Sequence, residues 1–119
     1  MLRGIGISAT AALFMAACAS VPPPVEQMAV SKAAVGSATS AGSNEFAPLP
    51  LKSAMDKMDA AERAMSEKEY VLARQLAEQA QVDAQLAAAT SRSAKAQKAA
   101  SALQEDNVIL RQEIDRSTK

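Results

Sequence analysis

Several residue types on which protein chemistry depends are missing or scarce in this chain of 119 residues. It contains no His and no Trp, and aromatic residues make up only 3% of it. The lack of His removes the usual general base and the commonest metal ligand. The lack of aromatic side chains removes the platforms on which single-stranded nucleic acids stack. We therefore expect no enzyme activity, no cofactor, no metal site and no nucleic acid partner.

An excess of charge and a supply of bulky core side chains are also lacking. The 13 basic and 13 acidic residues cancel, so the chain has no overall basic field for nucleic acid. Apolar residues reach 49%, but many of them are Ala, which limits the size of the core. Runs of β-branched residues and alternating patterns are absent, so no strand is predicted. These features predict one small all-α unit.

The single Cys follows a segment typical of an export signal. Arg3 supplies a positive charge, residues 4–14 form a largely apolar stretch, and small residues precede Cys18. A stretch of about eleven residues rises only about 16 Å as a helix, about half of a bilayer core. A single Cys has no partner for a disulfide within an exported chain. We therefore predict a signal peptide over residues 1–17 and a separate role for Cys18.

The junction Ala16-Ala17-Cys18 resembles the lipobox of bacterial lipoproteins. The resemblance implies that Cys18 carries a diacylglycerol, with palmitate among its acyl chains, and becomes the new N-terminus. Ala19 differs from the Asp that signals inner-membrane retention in enterobacteria, which implies delivery to the periplasmic side of the outer membrane. Two alternatives stay open: a secreted chain with a free thiol, and an uncleaved inner-membrane anchor.

The remaining chain reads as a tether followed by helices. Residues 18–24 include Pro22-Pro23-Pro24, which favours an extended polyproline II segment. We predict helices over about 25–41, 48–65 and 67–117 within a domain of residues 25–119, with Gly42 ending the first. The predicted buried face of the first helix is Val25, Met28, Ala29, Lys32, Val35 and Thr39, and that of the second is Leu51, Ala54, Met55, Met58, Ala61 and Met65. Ser66 and Glu69 are predicted to form a capping box at the start of the third helix.

Two stripes follow the long third helix at four-three spacing. The first consists of small residues that allow another helix to approach closely: Ala73, Ala77, Ala80, Ala84, Ala87, Ser91 and Ala94. We expect it to pack against the second helix as an antiparallel hairpin. The second stripe resembles a coiled-coil seam: Val82, Leu86, Ala89, Ser93, Ala96, Ala100, Leu103, Asn107, Leu110 and Ile114. Its bulky C-terminal members, Leu103, Asn107, Leu110 and Ile114, are the predicted interface for a second copy or another envelope protein.

The segment from Tyr70 to Ala84 carries a family resemblance. The matching residues are Tyr70, Ala73-Arg74, Leu76-Ala77-Glu78, Ala80 and Asp83-Ala84, with Ala41-Gly42, Glu45-Phe46-Ala47-Pro48, Leu51 and Ala54 before them. From Glu26 to about Ile114 the chain resembles the helical domain of unknown function family DUF4398. Members of that family are often lipoproteins, and some carry an OmpA-like peptidoglycan-binding domain after the helical module. We expect no such domain here.

Other candidate residues have ordinary explanations beside functional ones. Arg92, Lys95 and Lys98 form a basic patch that would suit lipopolysaccharide, anionic lipid or peptidoglycan, or simply face solvent. Lys119 resembles the terminal Lys through which Braun-type lipoproteins attach to peptidoglycan. Three helical carboxylates, Asp56, Asp59 and Glu62, are balanced by neighbouring cations, which favours a solvated face over a metal site. The thioethers of Met55, Met58 and Met65 are expected to fill the core rather than bind copper.

Taken together, the sequence predicts an outer-membrane lipoprotein with a structural, tethering or adaptor role in the cell envelope. The alternative hypothesis is a binding module that docks another envelope protein or peptidoglycan through its long helix.

Overall fold

The computed structural model describes residues 20–119 and shows an all-α fold, as predicted. The helices are α1 (Val25–Ser40), α2 (Ser43–Phe46), α3 (Pro48–Ser66) and α4 (Tyr70–Ser117). Within the described range there is no strand. None of the helices there combines the length and the apolar character needed to cross a membrane. The architecture is a bundle of α1, α3 and the first half of α4, from which the second half of α4 extends.

Gly42 ends α1, as predicted, because it adopts a left-handed conformation. Its φ is +88°, a region that only Gly enters without a steric penalty. The chain then forms α2, a single turn that the sequence did not predict, before Pro48 opens α3. Pro suits this first helical position because its missing N–H would have no partner there.

The predicted buried face of α1 is wrong in part. Val25 is 65% exposed, and Ala29, Lys32 and Thr39 are also exposed. Met28 and Val35 are half-buried, whereas Ser31 and Ala38 are completely buried. These two residues are buried because their small side chains allow α1 to lie close to the Ala-rich face of α4. The spacing along the sequence therefore located only part of the buried face of this helix.

The capping box predicted between α3 and α4 is wrong. α4 begins at Tyr70 rather than at residue 67, and its start has no side-chain cap. Instead, the amide of Glu69 donates to the carbonyl of Ala64, and the amide of Lys68 donates to that of Met65. Together with the left-handed φ of +63° at Lys68, these two bonds form a Schellman motif. The hydroxyl of Ser66 donates backwards to the carbonyl of Arg63.

The core lies where α1 and α3 pack on the small-residue stripe of α4. The stripe is completely buried at six of its seven predicted positions: Ala73, Ala77, Ala80, Ala84, Ala87 and Ser91. α3 presents Leu51, Ala54, Met58, Ala61 and Ala64, which confirms most of its predicted face. Met55 was placed wrongly on that face, since it is 49% exposed, and Ala64 was missed. Only residues 67–69 connect α3 to α4, and Ser53 and Lys57 contact Asp83 well away from this turn, so α3 and α4 run antiparallel.

Candidate docking surface on the long helix

Polar contacts join α3 to the first half of α4, the half that belongs to the bundle. Asp83 accepts hydrogen bonds from Lys57 Nζ at 2.6 Å and from Ser53 Oγ at 2.7 Å. These bonds lower the pKa of Asp83, the one from Lys57 most, because they stabilise the charged carboxylate. Both charged side chains are at least two-thirds buried, at 33% and 22% exposure. The pair therefore fixes the register of two helices whose other contacts are mostly Ala.

α1 and α2 are held to α4 by two further polar contacts. Ser91 Oγ donates to the carbonyl of Ala87 at 2.8 Å, so the contact of 2.9 Å between the two serine hydroxyls has Ser43 as its donor. Near the start of α1, the side-chain amide nitrogen Nε2 of Gln27 donates hydrogen bonds to Ser31 Oγ and to Gln81 Oε1 of α4. In the described part of the chain every buried side-chain nitrogen or oxygen has a hydrogen-bond partner. The bundle is therefore a specific, well-satisfied support for α4.

Beyond Lys95, the second half of α4 leaves this support. Every residue from Lys95 to Lys119 is exposed, although the helix continues to Ser117. We call Leu103, Asn107, Leu110 and Ile114 the seam. At about 100° per residue these four side chains fall within an arc of about 60°. The three apolar members are 63%, 59% and 59% exposed, which is unusual for large hydrophobic side chains in a row.

The seam lies on a different face of α4 from the stripe that is buried in the bundle. Its upstream continuation, Val82, Leu86, Ala89 and Ser93, lies about 160° around α4 from the buried stripe. Val82 and Leu86 are accordingly exposed, at 63% and 56%. The seam itself lies about 130° around the helix from the buried stripe, so a partner that docks on it would approach a side of α4 that faces away from α1 and α3. Val108 and Ile109 are also exposed but lie on other faces of the helix, and the four-three spacing did not include them.

Comparison with known families identifies the helical module. The family described as Domain of unknown function (DUF4398) matches residues 26–103. The chain belongs to the DUF4398 family. No curated protein and no solved structure matches it.

The DUF4398 match covers the bundle and ends at the beginning of the seam. It starts at the predicted residue, Glu26, but stops at Leu103 rather than near Ile114. In the segment from Tyr70 to Ala84, which carries the resemblance most clearly, Ala73, Ala77, Ala80 and Ala84 are the completely buried residues. Asp83 makes the ion pair with Lys57 there. Five of the nine matching residues in this segment of the DUF4398 module are thus ones that pack or pair where α4 meets the rest of the bundle.

The predicted basic patch is divided by the fold. Lys95 Nζ lies 5.7 Å from the centre of the Phe46 ring, at cation–π distance, and next to Gly42. It therefore contacts α2, a contact that neither the anionic-surface nor the solvent interpretation of the patch included. Arg92 and Lys98 are exposed on either side of it.

On α3, two carboxylates of the acidic face form ion pairs, and the Met residues expected to fill the core do so only in part. Asp56 pairs with Lys52 at 2.6 Å, and Glu62 pairs with Lys32 of α1 at 3.3 Å. In residues 20–119 no group of three or more Asp, Glu, His or Cys side chains is arranged to hold a metal ion. Met58 is buried and Met55 exposed, so these two thioethers have different surroundings.

The residues predicted to attach the protein to the envelope, Cys18 and Lys119, lie towards the two ends of the sequence. Cys18 and the signal segment of residues 1–17 lie outside the described residues. Val21, Pro22 and Pro23 are exposed immediately before α1. Tyr70 is half-buried and lines one shallow surface depression together with these three residues. Lys119, the residue proposed for peptidoglycan attachment, is exposed after the end of α4.

Proposed function

We propose that the protein is a lipoprotein anchored through Cys18 to the periplasmic side of the outer membrane, where it acts as a non-catalytic tether or adaptor. The observation that carries this proposal is the division of α4 into a bundled half and an unpartnered half. A bundle whose buried side-chain polar atoms, within residues 20–119, all have hydrogen-bond partners serves to orient a helix. The exposed half of that helix serves to reach or bind another molecule.

The dimensions of the chain suit a spacer. Residues 95–117 extend α4 beyond the bundle, which corresponds to about 35 Å of helix. The tether from Cys18 to Val25 spans at most about 25 Å when extended. The bundle would therefore sit close to the membrane surface, and the seam would lie farther along the same helix.

Acylation of Cys18 is the first element to test. Metabolic labelling with a palmitate analogue should label the wild-type protein and a Ser20→Ala variant, which retains the thiol. Cys18→Ser should lose the label, and the wild type should fractionate with outer membrane. Label that persists in Cys18→Ser, or a wild-type protein found without lipid in the soluble fraction, would contradict the proposed anchor.

The sorting part of the proposal has its own test. Ala19→Asp introduces the residue that would signal inner-membrane retention, if the resemblance to enterobacterial lipoproteins holds. We expect this variant to remain labelled but to move to the inner membrane, whereas Ala19→Ser should stay in the outer membrane. Unchanged fractionation of both variants would show that residue 19 does not direct sorting in this protein.

The adaptor role predicts that the seam contacts another molecule. A photo-crosslinking residue placed at Gln104, an exposed position beside Leu103 at the edge of the seam, should form products that the same residue at Asp56, on the exposed face of α3, does not form. If neither position gives products, the long helix acts as a spacer and not as a docking surface.

A further inference from the structure

We infer that the seam is the interface of a parallel, in-register dimer of this chain. The inference deepens the proposed docking role of α4, on which it rests, by naming the partner as a second copy. It depends on three features of the seam: its side chains, the charges that flank it, and its position relative to the bundle.

The side chains of the seam match a two-stranded parallel coiled coil. If Leu103 and Leu110 occupy d positions of the heptad repeat, Asn107 and Ile114 occupy a positions. A β-branched residue at a with Leu at d favours two parallel strands, and a single Asn at a fixes the register. Asn107 Nδ2 donates to the carbonyl of Leu103 within its own helix at 2.9 Å. Its Oδ1 and its second amide hydrogen are thus left for the Asn107 of a second copy.

The flanking charges select the orientation. Asp106 lies at g and Arg111 at the following e, positions that meet between parallel chains. Each parallel dimer would therefore contain this attractive contact twice. In an antiparallel pair centred on the seam, Asp106 would instead face Glu113 of the other chain, which places like charges together twice. Among the described residues, neither Asp106 nor Arg111 takes part in an ion pair within the chain.

The bundle leaves room for such a dimer. Because the stripe from Val82 to Ile114 faces away from α1 and α3, the two bundles would lie on the outer sides of the paired helices. The bulky part of the seam spans only about two heptads, so its affinity in dilute solution should be low. Anchoring through Cys18 would hold all copies in the same orientation and raise their effective concentration.

Disulfide trapping in intact cells tests the dimer. Leu103→Cys and Leu110→Cys are introduced separately into the full chain, and crosslinked peptides are identified by mass spectrometry. Val108→Cys, at a b position on another face, is the matched control because Val108 is exposed to a similar extent, 55% against 59% for Leu110. We expect 103–103 and 110–110 disulfides at least tenfold more abundant than 108–108 disulfides.

A charge exchange tests the orientation independently. Asp106→Arg should reduce the 110–110 crosslink severalfold, because the introduced guanidinium group would then face Arg111 of the other chain. Adding Arg111→Asp restores opposite charges and should restore the crosslink. A swapped variant that crosslinks no better than Asp106→Arg alone would overturn the parallel arrangement.

The remaining outcomes separate the dimer from the anchor. If the protein is palmitate-labelled but neither Leu103→Cys nor Leu110→Cys forms a self-crosslink, the dimer is wrong and the anchor stands. If self-crosslinks form without lipid label, the anchor is wrong and the dimer stands. Efficient trapping of Leu110→Cys only to a different protein would also overturn the dimer.

Discussion

Asp83 is the residue whose charge state is tied most directly to the fold. Its pKa is lowered from the ordinary value of 3.8 because Lys57 and Ser53 both donate hydrogen bonds to its carboxylate. A carboxyl group with a lower pKa in the folded than in the unfolded chain stabilises the fold fully at pH values above the unfolded pKa. That contribution declines as the pH falls below about 4 and is lost below the folded pKa.

Asp83→Asn should therefore lower the free energy of unfolding by about 1 kcal/mol at neutral pH, since the hydrogen bonds involve a charged group that is partly shielded from solvent. At pH 3 the difference between the variant and the wild type should shrink. Urea unfolding followed by circular dichroism at pH 7 and pH 3 measures both values. Asp56→Asn, which removes an exposed pair, should cost less than about 0.5 kcal/mol. An equal loss for Asp83→Asn at both pH values would show that its charge is not responsible.

The two buried serines should respond unequally to substitution. Ser91→Ala removes the acceptor of the buried Ser43 hydroxyl, whereas Ser43→Ala leaves Ser91 donating to the carbonyl of Ala87. An unsatisfied buried donor costs about 1–3 kcal/mol. We therefore expect Ser91→Ala to be the more destabilising single variant in urea unfolding. The double variant should cost less than the sum of the two, because it leaves neither hydroxyl behind. Strict additivity would contradict a coupled pair.

At the level of elements, α1 and α3 are each followed by a residue in the left-handed conformation, one well suited to it and one not. Gly42, which follows α1, adopts φ +88° without a penalty, whereas Lys68, which follows α3, adopts φ +63° with a Cβ atom. Both conformations are needed because they complete helix ends through backbone hydrogen bonds. The fold therefore tolerates strain at Lys68 to obtain the tight connection between α3 and α4.

Replacing these two residues should change stability in opposite directions. Lys68→Gly should raise the free energy of unfolding by up to about 1 kcal/mol, because it relieves the left-handed strain. Gly42→Ala should lower it by about 1 kcal/mol for the converse reason. Gly36→Ala is the control: it lies inside α1 with nothing within 4 Å of the added Cβ and should stabilise by about 0.5–1 kcal/mol. Thermal and urea unfolding give the three signs, and stabilisation by Gly42→Ala would contradict the role of its conformation.

At the scale of the whole molecule, α4 belongs to two environments. Its first half contributes a completely buried stripe to the bundle, and its residues from Lys95 onward are all exposed. A helix without tertiary contacts is only marginally stable, because packing of an apolar face supplies most helical stability in water. The two halves should therefore differ in stability although they form one continuous helix.

Removing the exposed half should leave the bundle intact. Deletion of residues 103–119 is expected to change the free energy of unfolding of the bundle by less than about 0.5 kcal/mol, since substitutions and losses away from packed contacts have small effects. Hydrogen exchange in dilute solution should show fast exchange beyond about residue 95 and slow exchange around Ala80 and Ala84. Deletion of residues 84–119 is the contrasting variant and should unfold the protein. Strong protection of residues 103–117 in a dilute monomer would contradict this division.

The sequence by itself determined the helical class, the approximate helix limits, the stop at Gly42 and the small-residue stripe of α4. These features follow from local backbone preferences and from side-chain spacing, which act over a few residues. It also indicated the seam, because four-three spacing is visible without a fold. The assignment to DUF4398 came from the same Ala-rich segment.

Only the tertiary structure decided which faces are buried and which residues meet. Ser31 and Ala38 replaced the bulkier side of α1 because a close approach to α4 leaves room only for small side chains. The contacts of Asp83 with Lys57 and of Ser43 with Ser91 join residues 26 and 48 positions apart, so spacing along the chain did not reveal them. The Schellman turn at Lys68 replaced the predicted capping box, since docking of α3 on α4 demands a tight reversal there. In each case the physical reason is the same: packing of one helix on another outweighs the weaker local preference of a single residue.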